Sequence, residues 1–231
     1  MSSARTRRRR LCLGVLVSGS GTNLQSILDH AAKGMIDAKV AVVISNKPDA
    51  VALSRARRAD VPAVVVEHKG FPTREAYDDR LVQVLRAHRV DLVCLAGFMR
   101  LLSPVIIQAF PNRILNIHPA LLPAFPGLDV QRKALEHGVS FSGCTVHLVD
   151  EGCDTGPIVI QAVVPIAPED TPETLAARIL KQEHKIYPRA IQLFAEGRIT
   201  LEGRHVRVRG ARFANRALVN PPLTDPGRNR P

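Results

Sequence analysis

The chain has no tryptophan, and aromatic residues fill only 4% of its 231 positions. Its core must therefore be built from Val, Leu, Ile and Ala, and a base-stacking surface for single-stranded nucleic acid has little to draw on. Cysteine is scarce too. Cys12, Cys94, Cys144 and Cys153 show no C-x-x-C spacing, which excludes the common zinc and dithiol motifs. Three of the four lie in apolar runs and read as small core residues, the usage of a reduced, cytoplasmic protein. No apolar run approaches bilayer-spanning length. The short run Leu11 to Val17 ends in a glycine turn and reads as a first core strand, not a signal peptide.

The net charge of +11 suggests a nucleic-acid binder until it is located along the chain. Residues 1–10 hold five Arg and no acid, and residues 198–231 hold eight Arg against Glu202 and Asp225. The remaining 19 basic and 19 acidic side chains balance within 11–197. The excess belongs to the ends, which read as solvated, disordered basic tails at 1–10 and 211–231 around one folded domain at 11–210. A nucleic acid held by those tails is the competing reading, and steep salt dependence would be its mark.

Between the tails, strand and helix patterns alternate. Strands are expected at Leu11–Val17, Lys39–Ser45, Val61–Val66, Asp91–Leu95 and Arg113–Ile117. Helices are expected at Asn23–Ala32, Ala50–Arg58, Thr73–His88 and Pro104–Ala109. That rhythm predicts an open, twisted, mostly parallel α/β sheet flanked by helices. After Gly127 the pattern changes: a helix at Val130–His137, two longer strands at Gly143–Val149 and Ile158–Ile166 expected to pair antiparallel, and one long helix at Pro172–Glu196. Residues 199–209 suit a small hairpin around Glu202-Gly203.

Three stretches carry chemistry. In Arg113-Ile-Leu-Asn-Ile-His-Pro119, Asn116 and His118 stand two apart, on one face of a strand. Pro119, Pro123 and Pro126 then end the strand and stiffen the loop. A carboxamide beside an imidazole suits oxyanion stabilisation and proton transfer. Asp154, in Asp150-Glu-Gly-Cys-Asp-Thr-Gly-Pro157, could set a carboxylate against that imidazole, favour imidazolium and raise its pKa. His147 either orients Asp154 or packs within the sheet. No histidine pair has zinc spacing, so no metal is expected. Second, Gly19-Ser-Gly-Thr-Asn-Leu24 follows the first strand and opens a helix, where backbone N–H groups make an anion site. Leu24 replaces the third glycine of a dinucleotide fingerprint, which favours a single phosphomonoester. Third, Ala96-Gly-Phe-Met-Arg-Leu-Leu-Ser103 offers an apolar wall where a buried strand ends.

Taken in order, Ser18-Gly-Ser-Gly-Thr-Asn-Leu24, Ser45-Asn-Lys47, Leu95 to Pro104, Asn116-x-His-Pro-x-Leu-Leu-Pro123, Asp154-x-Gly-Pro157 and Gln182-Glu-His-Lys-Ile-Tyr-Pro188 resemble the folate-dependent formyltransferases. The resemblance runs from about Leu11 to Ile199 and is nearest the branch that serves purine biosynthesis. It implies a Rossmann-like formyltransferase fold and formyl transfer from 10-formyltetrahydrofolate, as cosubstrate, to the amine of N1-(5-phosphoribosyl)glycinamide. It implies Asn116, His118 and Asp154 as catalytic residues. For the ribonucleotide it implies Gly21, Thr22, Asn23 and Glu183, with Lys181 standing in because Leu180 occupies a position often polar in the family. For the folate it implies Arg74 at the start of a helix, with Met99, Arg100, Leu101 and Leu102 on one wall. Asn116 and Val149, Asp150, Glu151, Gly152, Cys153 and Asp154 form the other. The resemblance also suggests a homodimer. Formyltetrahydrofolate hydrolases and methionyl-tRNA formyltransferases share the Asn-His-Asp set. Their added domains are not expected here, given the few residues before the first strand and the short terminal tail.

Overall fold

The computed structural model describes residues 9–212 and 217–220. Seven strands form one sheet in the order β3-β2-β1-β4-β5-β6-β7. The first five are β1 (Leu11–Val17), β2 (Ala38–Ser45), β3 (Ala63–Val65), β4 (Leu92–Leu95) and β5 (Ile114–His118), all parallel. β6 (Phe141–Leu148) and β7 (Ile158–Pro165) add antiparallel to β5 and to each other. The expected mixed sheet is thus present, though β3 spans only Ala63–Val65 of the expected Val61–Val66. A separate hairpin of β8 (Ile199–Glu202) and β9 (His205–Val208) turns at Gly203-Arg204.

Residues alternate across β1. Leu13, Val15 and Val17 join the core beneath α1 (Thr22–Ala32), α2 (Val51–Arg58) and α6 (Pro172–Ala195), and Leu16 joins the opposite core. That second core packs α3 (Arg74–Ala87) and α4 (Pro104–Ala109). The remaining helix, α5 (Val130–Glu136), is short. Gly14 lets α3 approach, since a Cβ there would stand 2.4 Å from Leu85.

The long α6 contains Pro188, which has no N–H to offer the His184 carbonyl one turn back. Ser26 on α1 supplies the missing donor, its hydroxyl 2.9 Å from that oxygen. Tyr187 anchors the same turn to the sheet, its buried hydroxyl 3.0 Å from the carbonyls of both Leu95 and Leu115. These contacts hold α6 where Glu183 faces α1.

Parts of the segments expected to be disordered make contacts. Arg9 Nη2 lies 2.6 Å from Asp91 Oδ1. Asn220 Nδ2 donates to the carbonyls of Ser140 and Ile166 at 2.8 and 3.0 Å. Residues 1–8, 213–216 and 221–231 of the expected tails lie outside the described residues. Among the described residues no helix is long and apolar enough to cross a membrane.

Candidate active site

The order of strands places β2 and β4 on opposite sides of β1. The chain reverses its direction of winding there, and such switch points open a crevice at the strands' carboxyl ends. The loops after β1 and β4 flank that crevice and are joined to each other. Ser18 N–H donates to the Gly97 carbonyl at 3.0 Å. The Ser18 hydroxyl donates to Asn46 Oδ1 at 2.6 Å and accepts from Met99 N–H at 2.9 Å.

On β5, Asn116 pairs in register with His147 of β6, and His118 with Thr145. Asn116 Nδ2 lies 3.1 Å from His147 Nε2 and 3.3 Å from Asp154 Oδ1. His147 Nδ1 faces the Leu148 carbonyl at 2.9 Å. A carbonyl only accepts, so Nδ1 carries the proton, and in the neutral ring Nε2 accepts from Asn116. His147 Nε2 also lies 3.6 Å from Asp154 Oδ1, so the ring sits against both the carboxamide and the carboxylate and is more than sheet packing.

Thr145 was not legible as a site residue, yet it builds the loop that follows His118. Its hydroxyl donates to the Ala120 carbonyl at 2.7 Å and accepts from Leu122 N–H at 3.1 Å. The folded loop delivers the Phe125 carbonyl to His118 Nε2 at 2.9 Å and Gly127 N–H to Asp154 Oδ2 at 2.9 Å. His118 Nδ1 is 3.3 Å from the same Asp154 oxygen. No side-chain signal could have announced the two backbone groups.

Asp154 reaches this position from a tight loop. Asp150 Oδ1 accepts from Gly152 N–H and from the Thr155 hydroxyl, at 3.2 and 2.6 Å. Asp154 itself takes a left-handed backbone, φ 56°, which Asp tolerates better than most residues. A Cβ on Gly156 would stand 1.8 Å from the Leu148 carbonyl oxygen, so only glycine lets the loop return against β6.

Burial raises the Asp154 pKa, but the His147 and Gly127 hydrogen bonds and the two imidazoles overcome it and hold the carboxyl at about 2. For His118 the balance runs opposite to expectation. Burial depresses its pKa more than the Phe125 carbonyl and Asp154 raise it. The expected raised value is corrected: burial outweighs the neighbouring carboxylate and favours the neutral ring.

These groups sit at one end of a cavity of about 480 Å³. Met99 to Leu102 form one wall and Val149 to Asp154 the other, as expected. Met99 and Leu101 are 62% and 56% exposed, an apolar surface open to a flat ring. Arg100 stacks on Tyr77, its guanidinium carbon 5.3 Å from the ring centroid. Arg74 is the exception among the expected folate contacts. It lies outside the cavity lining, on the first turn of α3, 3.7 Å from Glu75.

At the second expected subsite, Asn23 Nδ2 donates to Glu183 Oε2 at 2.6 Å. Both residues are buried, and burial raises the Glu183 pKa while the Asn23 contact lowers it. Gly21 (φ 70°) caps α1, placing Thr22 and Asn23 in its first turn. Lys181 points into solvent and is not drawn to them. Among the described residues, no group of three His, Cys, Asp or Glu side chains is arranged to hold a metal.

The formyl transferase family profile matches residues 13–191. The chain belongs to that family. This formyltransferase is 48% identical over 190 residues to the phosphoribosylglycinamide formyltransferase of Haemophilus influenzae, covering 82% of this chain and 90% of that one. It is 51% identical over 203 residues to the trifunctional purine biosynthetic protein adenosine-3 of Drosophila melanogaster, over 85% of this chain but only 15% of that much longer protein. Its fold superposes on the crystal structure of glycinamide ribonucleotide transformylase 1 from Symbiobacterium toebii with a TM-score of 0.87. That match has 56% identity and covers 90% of this chain and 98% of the other.

Proposed function

We propose that this formyltransferase moves the formyl group of 10-formyltetrahydrofolate to the primary amine of N1-(5-phosphoribosyl)glycinamide, a step of purine biosynthesis. The observation that carries the reading is the meeting of Asn116, His118 and Asp154 at one end of the cavity lined by residues 99–102 and 149–154. Family and relatives agree with it.

In this reading the folate ring lies between the two walls with its formyl carbon toward Asn116. The amine nitrogen attacks that carbon, forming the new C–N bond and a tetrahedral oxyanion. Asn116 Nδ2 has two hydrogens; one is held by His147 or Asp154 and the other donates to the oxyanion. The nitrogen that attacked is now cationic. Neutral His118 accepts its proton, and Asp154 beside Nδ1 stabilises the imidazolium that results. The proton passes to the folate nitrogen as its bond to carbon breaks, so tetrahydrofolate and the formamide leave. The helix end at Gly21, Thr22 and Asn23 takes the phosphate, and Glu183 the ribonucleotide's polar body. Four free cysteines suit the reducing cytoplasm in which this chemistry would run.

The test follows tetrahydrofolate release by purified protein with and without phosphoribosylglycinamide, beside His118→Ala. Release that needs the amine and vanishes in the variant supports the transferase. Equal release without the amine would make the protein a hydrolase.

A further inference from the structure

The loop expected to take the phosphate is held from behind by a helix to which no role has been given. α2 (Val51–Arg58) lies against the Gly19–Gly21 turn so closely that a Cβ on Gly21 would meet Ala52 at 2.6 Å. Two bonds fasten the turn to it. Ala52 N–H donates to the Gly19 carbonyl at 3.0 Å. The half-buried Arg55 donates from Nε to the Ser20 carbonyl at 2.8 Å. Its Nη1 reaches Gln25 Oε1 on α1 at 3.2 Å. One guanidinium thus grips both the turn and the helix that the turn opens.

The consequence follows from peptide geometry. Across a trans peptide the C=O and the next N–H point in opposite directions. With the Gly19 and Ser20 carbonyls drawn toward α2, the N–H groups of Ser20 and Gly21 must face away from it, toward the mouth of the turn. We infer that Arg55 is a positioning residue for the phosphate of the ribonucleotide. Its two-pronged contact fixes the direction of the Ser20 and Gly21 N–H groups and does not itself touch the substrate. The inference rests on the proposed reading of residues 21–23 as the phosphate site. It adds a residue from outside the motif.

The experiment compares wild type, Arg55→Met and Arg55→Lys. Each is assayed with phosphoribosylglycinamide and with its dephosphorylated ribosyl analogue, at saturating 10-formyltetrahydrofolate. Binding of ribose 5-phosphate by calorimetry and the thermal midpoint are measured beside them. Arg55→Met should raise KM for the phosphorylated amine about tenfold, the scale of a lost charge-assisted contact. It should leave kcat, the folate KM and the dephosphorylated amine unchanged, and weaken ribose 5-phosphate binding by a similar factor. Lysine keeps the charge but cannot span both partners, so Arg55→Lys should behave like Arg55→Met.

Full rescue by lysine would overturn the clamp in favour of simple charge. An equal loss with both amines, or no loss at all, would overturn it outright. A wild type that binds ribose 5-phosphate but formylates neither amine would sink the proposed reaction. The clamp would then be judged on ribose 5-phosphate binding alone. A wild type indifferent to the phosphate in both measurements would overturn the inference.

Discussion

Asn116 and His147 face each other across the β5–β6 ladder, carboxamide nitrogen 3.1 Å from imidazole Nε2. Because His147 Nδ1 is committed to the Leu148 carbonyl, Nε2 of the neutral ring is left as an acceptor, and the carboxamide presents its nitrogen to it. The side chain that would meet a forming oxyanion is therefore held in its donating orientation before any substrate arrives.

Asn116→Ala should lower kcat by about 100- to 1,000-fold, the usual loss for one oxyanion donor. Its thermal midpoint should stay close to wild type, since the residue is only partly buried. Turnover near wild type under saturating substrates would remove Asn116 from the mechanism.

The pH dependence of kcat/KM should show an acid limb below the ordinary histidine value, because burial depresses the His118 pKa. Asp154 opposes that depression, so Asp154→Asn should move the limb to still lower pH while reducing the plateau rate. A limb that moved upward in the variant would contradict the arrangement. NMR titration of His118 gives the same sign directly.

Asp154 also links folding to acid. Its carboxyl titrates at about 2 in the fold against an ordinary 3.8. The stabilisation, on the order of 2 kcal/mol, is complete above the ordinary value and disappears as pH falls through about 2. His118, depressed in the fold, adds to the loss, since below the ordinary histidine pKa the unfolded chain takes up the proton first. Urea unfolding at a series of pH values should show stability declining toward acid, more shallowly in Asp154→Asn.

Ser26→Ala should cost about 1–3 kcal/mol, by stranding the part-buried His184 carbonyl. Pro188→Ala restores a backbone N–H to that carbonyl. The Ser26→Ala penalty measured in the Pro188→Ala background should therefore shrink. Strict additivity in denaturant unfolding would show that the Ser26 contact is not compensating for the proline.

Periodicity made most of the fold readable. Short apolar runs located β1, β2, β4 and β5, and apolar spacing located α3 and α6. The two-residue interval from Asn116 to His118 and the position of Asp154 carried the centre of the site. Less visible was anything settled by distance through space. Arg74 matches a family folate-contact position at the start of a helix, yet it lies outside the cavity that gathers the other expected folate residues. The His118 pKa was misjudged for the same reason: a neighbouring carboxylate can be inferred from a motif, but the depth of burial cannot. Thr145 and Ser18 organise loops through single hydroxyls, and a hydroxyl in a strand carries no mark of what it will meet.

The Asp-x-Gly-Pro block mixes two kinds of requirement. In the proposed mechanism Asp154 answers to the reaction, but Gly156 answers to the Leu148 carbonyl against which it lies. The glycine is thus a fingerprint of this scaffold, in which a strand end leaves no room for a methyl group. An unrelated architecture that evolved the same Asn, His and Asp chemistry would owe nothing to that spacing. Conversely, a relative that lost the catalytic carboxylate would still have to keep the glycine for as long as it kept the sheet.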